Sequence, residues 1–244
     1  MAPVEELGTI LGVWAHPDDE AYLMGGVMAS ASDTGQRVAC VTATRGEAGE
    51  TADPLRWPPD RLAAIREAEL ACALGILGVT DHEWLDYPDG GLAGVDPPDA
   101  VARIGAAIRR VRPDTVMTFG PDGMTGHPDH RAVSAWTAFA VHEHAPRGTR
   151  LLFATKTHDW VEEHPELNRL VFPDAPPPRA RRDDLVLDLR LADDLLERKV
   201  SALEAQASQT SGLIAAVGRE RFGAWVRDEH FTRAAPAGAE PARR

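Results

Sequence analysis

The chain has 244 residues, of which 43% are hydrophobic and 6% aromatic, and its formal net charge at pH 7 is −12. This length supplies enough apolar material for one sizeable core, so we expect a single domain over residues 1–232. Nucleic acids and anionic membrane surfaces bind through clustered Lys and Arg, so the acidic balance argues against both as the main partner. A neutral or cationic small molecule suits this charge better.

The sequence also bears on the cellular compartment. No apolar run approaches about 18 residues, and the first residues lack a basic stretch followed by an apolar one, so neither a membrane span nor secretion is expected. Cys40 and Cys72 fall in a strand-like and a helix-like segment without the spacing of a disulfide framework, which predicts two buried free thiols. These features indicate a cytoplasmic location.

The first predicted element is the apolar run Ile10–Trp14, which suits a buried strand of a parallel sheet, and Ala-His-Pro-Asp-Asp-Glu follows it at 15–20. Ligands of open α/β sheets bind at the carboxyl ends of the strands. His16 and Asp19 are three residues apart on a turn that a proline stiffens, so their side chains can converge on one cation. The adjacent Asp18 points elsewhere and is free to act on a water.

A plainer interpretation of residues 15–20 is the start of a helix. Proline is favoured at the first helical position, and Asp and Glu in the first turn stabilise the helix dipole. This explains the segment from Pro17 to Glu20 but leaves His16 without a reason.

After this motif, strand-like and helix-like patterns alternate along the chain. Such alternation predicts an α/β fold with a Rossmann-like, doubly wound, mostly parallel sheet flanked by helices. In chain order we predict helices over 21–32, 61–74, 100–111 and 128–144, and strands over 37–44, 83–85, 115–120 and 151–155.

A second histidine motif, Gly-His-Pro-Asp-His, lies at 126–130 directly after the predicted strand 115–120. Two strand ends therefore carry nearly the same His-Pro-Asp pattern. A catalytic zinc site has three protein ligands and one open position for water. His16, Asp19 and one histidine of the second motif would complete such a site.

The last third of the chain is less regular. Prolines and a basic run mark residues 158–184 as an exposed excursion or a lid. Residues 185–189 are predicted to form an edge strand and 192–209 a helix. Residues 233–244, rich in Arg, Pro and Ala, are predicted to be a disordered tail.

With both histidine motifs in place, the sequence resembles the LmbE-like or PIG-L-type deacetylases, which are zinc-dependent hydrolases that remove an acyl group from an amino sugar. Further short segments extend the resemblance over most of the chain: Thr-Arg-Gly-Glu-Ala-Gly at 44–49, Arg-Glu-Ala-Glu at 66–69 and Tyr-Pro-Asp-Gly at 87–90. The resemblance implies that His16, Asp19 and His130 bind zinc. It also implies that Asp18 is the general base and that His127 assists the transition state.

The resemblance also suggests three residues that bind the sugar. Arg66 is expected to contact sugar hydroxyls, although its sequence context also suits a surface pair with Glu69. Asp89 matches an acid that binds the glycan, yet Pro-Asp-Gly is ordinary turn chemistry. Glu47 is placed at the rim of the site by the resemblance, and otherwise has the character of a solvated loop charge.

Two positions depart from the family. Some amino-sugar inositol deacetylases have a Tyr two residues before the first histidine of the second motif, where this chain has Thr125. Where the family often has a His before a terminal Ser/Thr-Gln, this chain has Gln206. A substrate preference different from that of the inositol deacetylases is therefore expected.

The predicted reaction is hydrolysis of the amide of an N-acyl amino sugar, such as an N-acetylglucosamine conjugate. Asp18 would take the proton of the attacking water, and a protonated His127, kept charged and oriented by Asp129, would stabilise the oxyanion. Both Zn²⁺ and Fe²⁺ accept two histidines and one carboxylate.

Two other kinds of function compete with this prediction. The nearest rival is an amidase that acts on a thiol conjugate of an amino-sugar inositol with the same metal site. From another class, a nucleotide-binding or a non-catalytic metal-binding Rossmann-like module is possible. Nucleotide binding is disfavoured because no Gly-x-Gly-x-x-Gly follows the first strand, and the acidic motif there would repel a phosphate.

Overall fold

The computed structural model describes residues 3–173 and 176–234, and within these ranges it contains eight strands and nine helices. The strands are β1 (Ile10–Trp14), β2 (Val38–Thr44), β3 (Asp81–Tyr87), β4 (Thr115–Phe119), β5 (Arg150–Thr157), β6 (Arg179–Ala180), β7 (Leu185–Arg190) and β8 (Asp228–Arg233). The helices are α1 (Asp19–Asp33), α2 (Leu62–Leu77), α3 (Pro97–Val111), α4 (Pro128–His144), α5 (His158–Glu163), α6 (Pro165–Val171), α7 (Asp193–Ala205), α8 (Ala207–Val217) and α9 (Arg219–Val226).

The strands form one mixed sheet in the order β3-β2-β1-β4-β5-β8-β7, and the two residues of β6 pair with β5. The five strands from β3 to β5 are parallel, whereas β8 runs antiparallel to both of its neighbours. Every residue of β1, β2 and β4 is buried, as expected for central parallel strands covered on both faces. The predicted α/β fold with a mostly parallel sheet flanked by helices is confirmed.

The order of the strands determines where a ligand can bind. The chain passes from β1 to β2 and β3 on one side, and then returns to place β4 on the other side of β1. This reversal makes a topological switch point between β1 and β4, where a crevice opens beyond the carboxyl ends of the strands. Both histidine motifs follow these two strands, so they face each other across the crevice.

The C-terminal part differs from the predictions. The helix predicted over 192–209 is two helices, α7 and α8, which are separated at Gln206. Helix α9 and strand β8 were not predicted. Strand β8 begins with Asp228, Glu229 and His230, a polar sequence that does not have the pattern of a buried strand. These side chains are nevertheless buried, because each lies against a side chain of opposite type: Arg190, Lys199 and Asp188, respectively.

Other details correct the sequence predictions. The described part of 158–184 contains helices α5 and α6 and is therefore not irregular throughout. Arg233, placed in the predicted tail, is the last residue of β8, and residues 235–244 of that tail lie outside the described residues. Cys40 is buried as predicted, but Cys72 is exposed because it lies on the outer face of α2.

None of the helices within residues 3–173 and 176–234 combines the length and the apolarity that crossing a membrane would require.

A buried ion pair connects the C-terminal elements to α1. The Lys199 ammonium lies 2.7 Å from the Glu229 carboxylate, and neither side chain is exposed to solvent. Glu229 also accepts hydrogen bonds from the backbone N–H groups of Gly26 and Val27, at 2.6 and 2.9 Å, and Lys199 donates to the Tyr22 carbonyl. The pair therefore holds α7 and β8 against the helix that follows the first histidine motif.

We expect the substitution Lys199→Met to lower the free energy of unfolding by about 3–5 kcal/mol, because it leaves the Glu229 charge buried without its partner. Urea unfolding followed by circular dichroism measures this change. Arg219→Ala is the matched control, because it removes an exposed pair with Glu197 and should change stability little. An unfolding midpoint for Lys199→Met equal to that of the parent would contradict the importance of the buried pair.

Candidate active site

Four neighbouring parallel strands deliver polar side chains to the crevice. His16 follows β1, Glu47 follows β2 and Asp89 follows β3, while residues 127–130 form the start of α4 beyond β4. The strand order β3-β2-β1-β4 places these four strand ends side by side. These candidate site residues therefore lie together beyond the carboxyl ends of the four strands.

Two histidines face each other at the centre of the crevice. His16 Nδ1 lies 3.2 Å from His130 Nε2. On its outer side, His16 Nε2 lies 3.0 Å from Asp89 Oδ1 and 3.3 Å from Asp129 Oδ2, while His130 Nδ1 lies 2.9 Å from the Gly123 carbonyl. When each outer nitrogen donates its proton to these oxygens, both inner nitrogens carry lone pairs. Two facing lone pairs at this distance suit a cation between them.

Asp19 completes a triangle with these two nitrogens. One carboxylate oxygen lies 3.4 Å from His130 Nε2 and the other lies 3.6 Å from His16 Nδ1. A tetrahedral zinc ion with bonds of 2.0–2.1 Å separates its ligand atoms by about 3.3 Å. The three separations therefore fit one small divalent cation. Two further groups have ligand atoms that all lie within 4.8 Å of one another: His16, His127 and His130, and His16, Asp89 and Asp129.

The electrostatics of the site favour positive charge. Burial lowers the pKa of His16, but Asp129, Asp89 and Asp19 outweigh it and raise that pKa to about 10. Burial lowers the pKa of His130, and the charge on His16 acts in the same direction. A proton on His16 thus offsets part of the negative charge of three carboxylates, and a divalent cation would offset more. Metal and proton compete for this place because ligating histidines must be neutral.

Asp18 lies beside this centre in a strained conformation. Its backbone angle φ is 102°, a value that residues other than glycine rarely adopt. Its backbone N–H donates to Glu20 Oε2 at 3.0 Å, and its carboxylate lies 3.4 Å from Arg66 Nη2. Burial raises the pKa of Asp18 to about 7, although the charge of Arg66 opposes this shift. Burial therefore makes this carboxylate a better proton acceptor than an exposed one.

Arg66 is buried beneath the turn that carries Asp18. Its Nη1 donates to the Gly46 carbonyl at 2.8 Å, and its Nη2 donates to the Pro17 carbonyl at 2.5 Å. Gly46 has a φ of 67°, and a Cβ on it would overlap the guanidinium, so this position requires glycine. Through these two nitrogens, Arg66 links the backbone of the loop after β2, at Gly46, to the backbone of the turn after β1, at Pro17. Contact of Arg66 with a sugar stays a prediction.

Glu20 and Gln206 support Asp18, and the sequence analysis assigned neither to the site. Gln206 donates from its side-chain amide to Glu20 Oε1 at 2.8 Å, while Glu20 Oε2 accepts the Asp18 N–H. Burial, with the charge of Asp18, raises the pKa of Glu20 to about 8, and the Gln206 hydrogen bond opposes this shift. In the sequence, the signal that could have pointed to this role was the departure of Gln206 from the family pattern.

The contacts of Asp129 correct its predicted role. Its carboxylate does not lie against His127 but accepts from the Gly90 and Leu92 N–H groups, at 2.8 and 3.1 Å, and approaches His16. Residues two apart at the start of a helix point in different directions, which separates the two side chains. The backbone N–H of Asp129 is what meets His127, donating to its Nδ1 at 3.2 Å.

Glu47 and Asp89 form the polar side of the crevice. Glu47 Oε1 accepts from the Asp89 N–H at 2.9 Å, and Asp89 Oδ2 accepts from the Ala48 N–H at 2.9 Å. Burial raises the pKa of Asp89, but His16 and the Ala48 N–H lower it to about 2. Glu47 Oε2 is buried with no hydrogen-bond partner among the described residues. This oxygen can accept one more hydrogen bond, as from a hydroxyl group.

Similar proteins share both the sequence and the fold. A 1D-myo-inositol 2-acetamido-2-deoxy-alpha-D-glucopyranoside deacetylase of Kineococcus radiotolerans is 40% identical over 168 residues, which cover 58% of this chain and 46% of that relative. This chain thus spans about half the length of that protein. The enzyme of the same name from Acidothermus cellulolyticus is 34% identical over 231 residues, or 82% of this chain and 79% of the relative.

A solved structure, the A40926 pseudoaglycone deacetylase Dbv21, superposes with a TM-score of 0.69 at 22% identity, covering 96% of this chain and 100% of that one. This likeness concerns the fold. The model of the family PIG-L, described as GlcNAc-PI de-N-acetylase, matches residues 11–141, which are more than half of the chain and include both histidine motifs. The chain therefore belongs to the PIG-L family, as the sequence motifs predicted.

Proposed function

We propose that this protein is a metal-dependent hydrolase that removes the acyl group from an N-acyl amino-sugar conjugate. The observation that carries this proposal is the pair of facing ring nitrogens of His16 and His130, with Asp19 beside them and the strained Asp18 next to the same position. This arrangement combines a cation site with a free carboxylate, which is what the attack of water on an amide needs.

His16, Asp19 and His130 would hold the metal, which we propose is Zn²⁺, although Fe²⁺ accepts the same ligands. Their ligand atoms are separated by 3.2–3.6 Å, which suits one small cation. When bound, the metal would lower the pKa of a water molecule and polarise the amide carbonyl. The carboxylates of Asp89 and Asp129 fix the His16 ring from its outer side.

Asp18 is the proposed general base. Its carboxylate takes a proton from the attacking water and later gives that proton to the departing amine. Arg66 and Glu20 hold the turn in place, so the carboxylate points into the crevice without having to be reoriented during the reaction.

His127 is proposed to stabilise the oxyanion. Its Nδ1 accepts the Asp129 N–H, so the ring proton resides on Nε2. The side chain is exposed at the mouth of the crevice, and its ring centroid lies 5.0 Å from that of His16 and 5.1 Å from that of His130. From this place the ring can donate a hydrogen bond to the oxygen that becomes negative.

Glu47 and Asp89 are proposed to bind the sugar. Carboxylates accept hydrogen bonds from sugar hydroxyls, and Glu47 Oε2 lacks a partner in the described structure. Arg66, which the sequence also assigned to the sugar, would act there only if substrate binding released one of its backbone contacts.

The relatives suggest one substrate, the 1D-myo-inositol 2-acetamido-2-deoxy-alpha-D-glucopyranoside of their names. We propose that this chain prefers a different conjugate, because Thr125 and Gln206 depart from the family pattern. An amidase on a thiol conjugate of an amino-sugar inositol remains the second candidate, since the same metal site serves it. A nucleotide-binding module is disfavoured by the carboxylates that line the strand ends.

The direct test is to incubate purified protein with a panel of N-acetylglucosamine conjugates, including the inositol conjugate, and to assay free amine. We expect measurable release from a simple N-acetylglucosamine compound and a higher kcat/KM on a larger conjugate. Absence of free amine from every member would disprove the proposed function. Strong preference for the inositol conjugate, with no response to Thr125→Tyr, would show that the two departures carry no specificity.

Metal content provides a separate prediction. The variants His16→Ala, Asp19→Ala and His130→Ala should each bind less than the one divalent ion per chain expected for the parent, because each removes a ligand. Elemental analysis after gel filtration measures this content, and the exposed His142→Ala is the control that should retain it. A variant that loses activity with full metal content would show that its residue is not a ligand.

Asp18→Asn should retain the metal while lowering kcat by a factor of about 10² to 10⁴, and His127→Ala should behave similarly. Because Asp18 works only when deprotonated, its activity falls as the pH drops through its pKa, so the variant should lose the acidic limb of the pH profile. In the tautomer assigned above, His127 donates from Nε2 without an added proton, so its loss should lower kcat without removing a limb of the pH profile. Near-normal rates with the parent pH profile would exclude both residues from catalysis.

A further inference from the structure

A cavity of about 250 Å³ opens from one side of the candidate metal centre. Asp18, Asp19 and His130 form the end nearest the centre. The rest of the wall is mostly apolar and aromatic, and it includes Tyr22, Leu23, Trp160, Val171, Leu213 and Trp225. None of the residues assigned above to the sugar or to the reaction explains this apolar side.

The cavity is separate from the polar side of the crevice. Glu47, Asp89 and Arg66 are absent from the cavity wall, and Asp89 contacts the outer nitrogen of His16, away from His130. An amide held at the metal centre with its sugar toward Glu47 and Asp89 therefore extends its acyl group into the cavity. Building on the proposed function, we propose that this cavity binds the acyl group and takes an apolar chain longer than acetyl.

The size of the cavity supports a longer chain. The methyl of an acetyl group is about as large as a water molecule, whose share of liquid volume is about 30 Å³, and would leave most of the cavity unfilled. Each further methylene that enters an apolar cavity removes apolar surface from water and adds affinity. The wall therefore gains more from a chain of several carbons than from acetyl.

Lys156 is the one lysine in this wall, and its contacts suit an apolar occupant. Its ammonium donates to the Asp228 carbonyl at 3.0 Å and lies 4.5 Å from the centre of the Trp160 ring. Burial, with the nearby charge of Lys199, lowers the pKa of Lys156 to about 7. The amine is thus engaged by the protein, and its methylene stem contributes apolar surface to the wall.

Two sequence features that the site did not use contribute to this cavity. Thr125 lies in its wall, where the tyrosine of some relatives would fill part of the space. Trp160 and Val171 belong to α5 and α6, within the segment that the sequence marked as an excursion. That segment therefore supplies a wall of the proposed acyl subsite.

The test compares N-hexanoylglucosamine with N-acetylglucosamine as substrates of the metal-loaded protein. We expect kcat/KM to be at least about tenfold higher for the hexanoyl compound, because four additional carbons enter the cavity. Val171→Trp and Leu213→Trp, which fill the cavity from two different helices, should lower kcat/KM for the hexanoyl compound more than for the acetyl compound and so abolish this preference. Leu170→Trp is the matched control, since Leu170 is exposed beside Val171 and outside the cavity wall, and it should keep the preference.

A binding measurement separates this inference from the proposed function. Binding of both compounds to metal-loaded Asp18→Asn protein is followed by the fluorescence of the tryptophans, two of which, Trp160 and Trp225, line the cavity. A dissociation constant at least about tenfold lower for the hexanoyl compound supports the acyl subsite, whether or not either compound is hydrolysed. A lack of hydrolysis of both compounds by the parent protein would overturn the proposed function and leave the acyl subsite standing. Equal binding, or hydrolysis of the acetyl compound at an equal or higher kcat/KM, overturns the acyl subsite.

Discussion

The position between His16 Nδ1 and His130 Nε2 constrains the rest of the site. These nitrogens are 3.2 Å apart, and their rings are held from behind by Asp89, Asp129 and the Gly123 carbonyl. Three carboxylates lie beside this position in a buried crevice, and they stabilise positive charge there. The same carboxylates raise the pKa of His16 to about 10 despite its burial. The loop after β3 brings Asp89 to this position, and the loop after β2 holds Asp89 through Glu47 and the Ala48 N–H.

The same crevice stores backbone strain in Asp18. A residue with φ near 100° costs about 1–3 kcal/mol and persists where its surroundings hold it. Arg66 holds the carbonyl of the preceding Pro17, and Glu20 accepts the Asp18 N–H. The turn therefore cannot relax into the regular start of α1. The Asp18 carboxylate is thereby held in the wall of the same cavity as Asp19 and His130.

The sequence predicted what depends on local pattern. The buried apolar strands and the two His-Pro-Asp motifs placed His16, Asp19 and His130 at neighbouring strand ends, and the fold has them there. Strand β8 was missed because a buried charged strand is recognised only by partners distant in sequence, such as Lys199 for Glu229. The carboxylate of Asp129 was misplaced for a related reason, since its partners lie in the loop after β3.

The C-terminal helices connect the base to the apolar side of the crevice. Helix α7 ends and α8 begins at Gln206, which is buried and donates to the Glu20 that supports Asp18. Seven residues later, about two helical turns on, Leu213 of α8 reaches the wall of the cavity. The contact of Gln206 with Glu20 and the place of Leu213 in the cavity wall both depend on where α8 begins. We therefore expect a change at Gln206 to affect the support of Asp18 and the cavity wall together. Proton transfer by the proposed base and the fit of an occupant in that cavity would thus both depend on Gln206, which contacts Glu20 and is not part of the cavity wall.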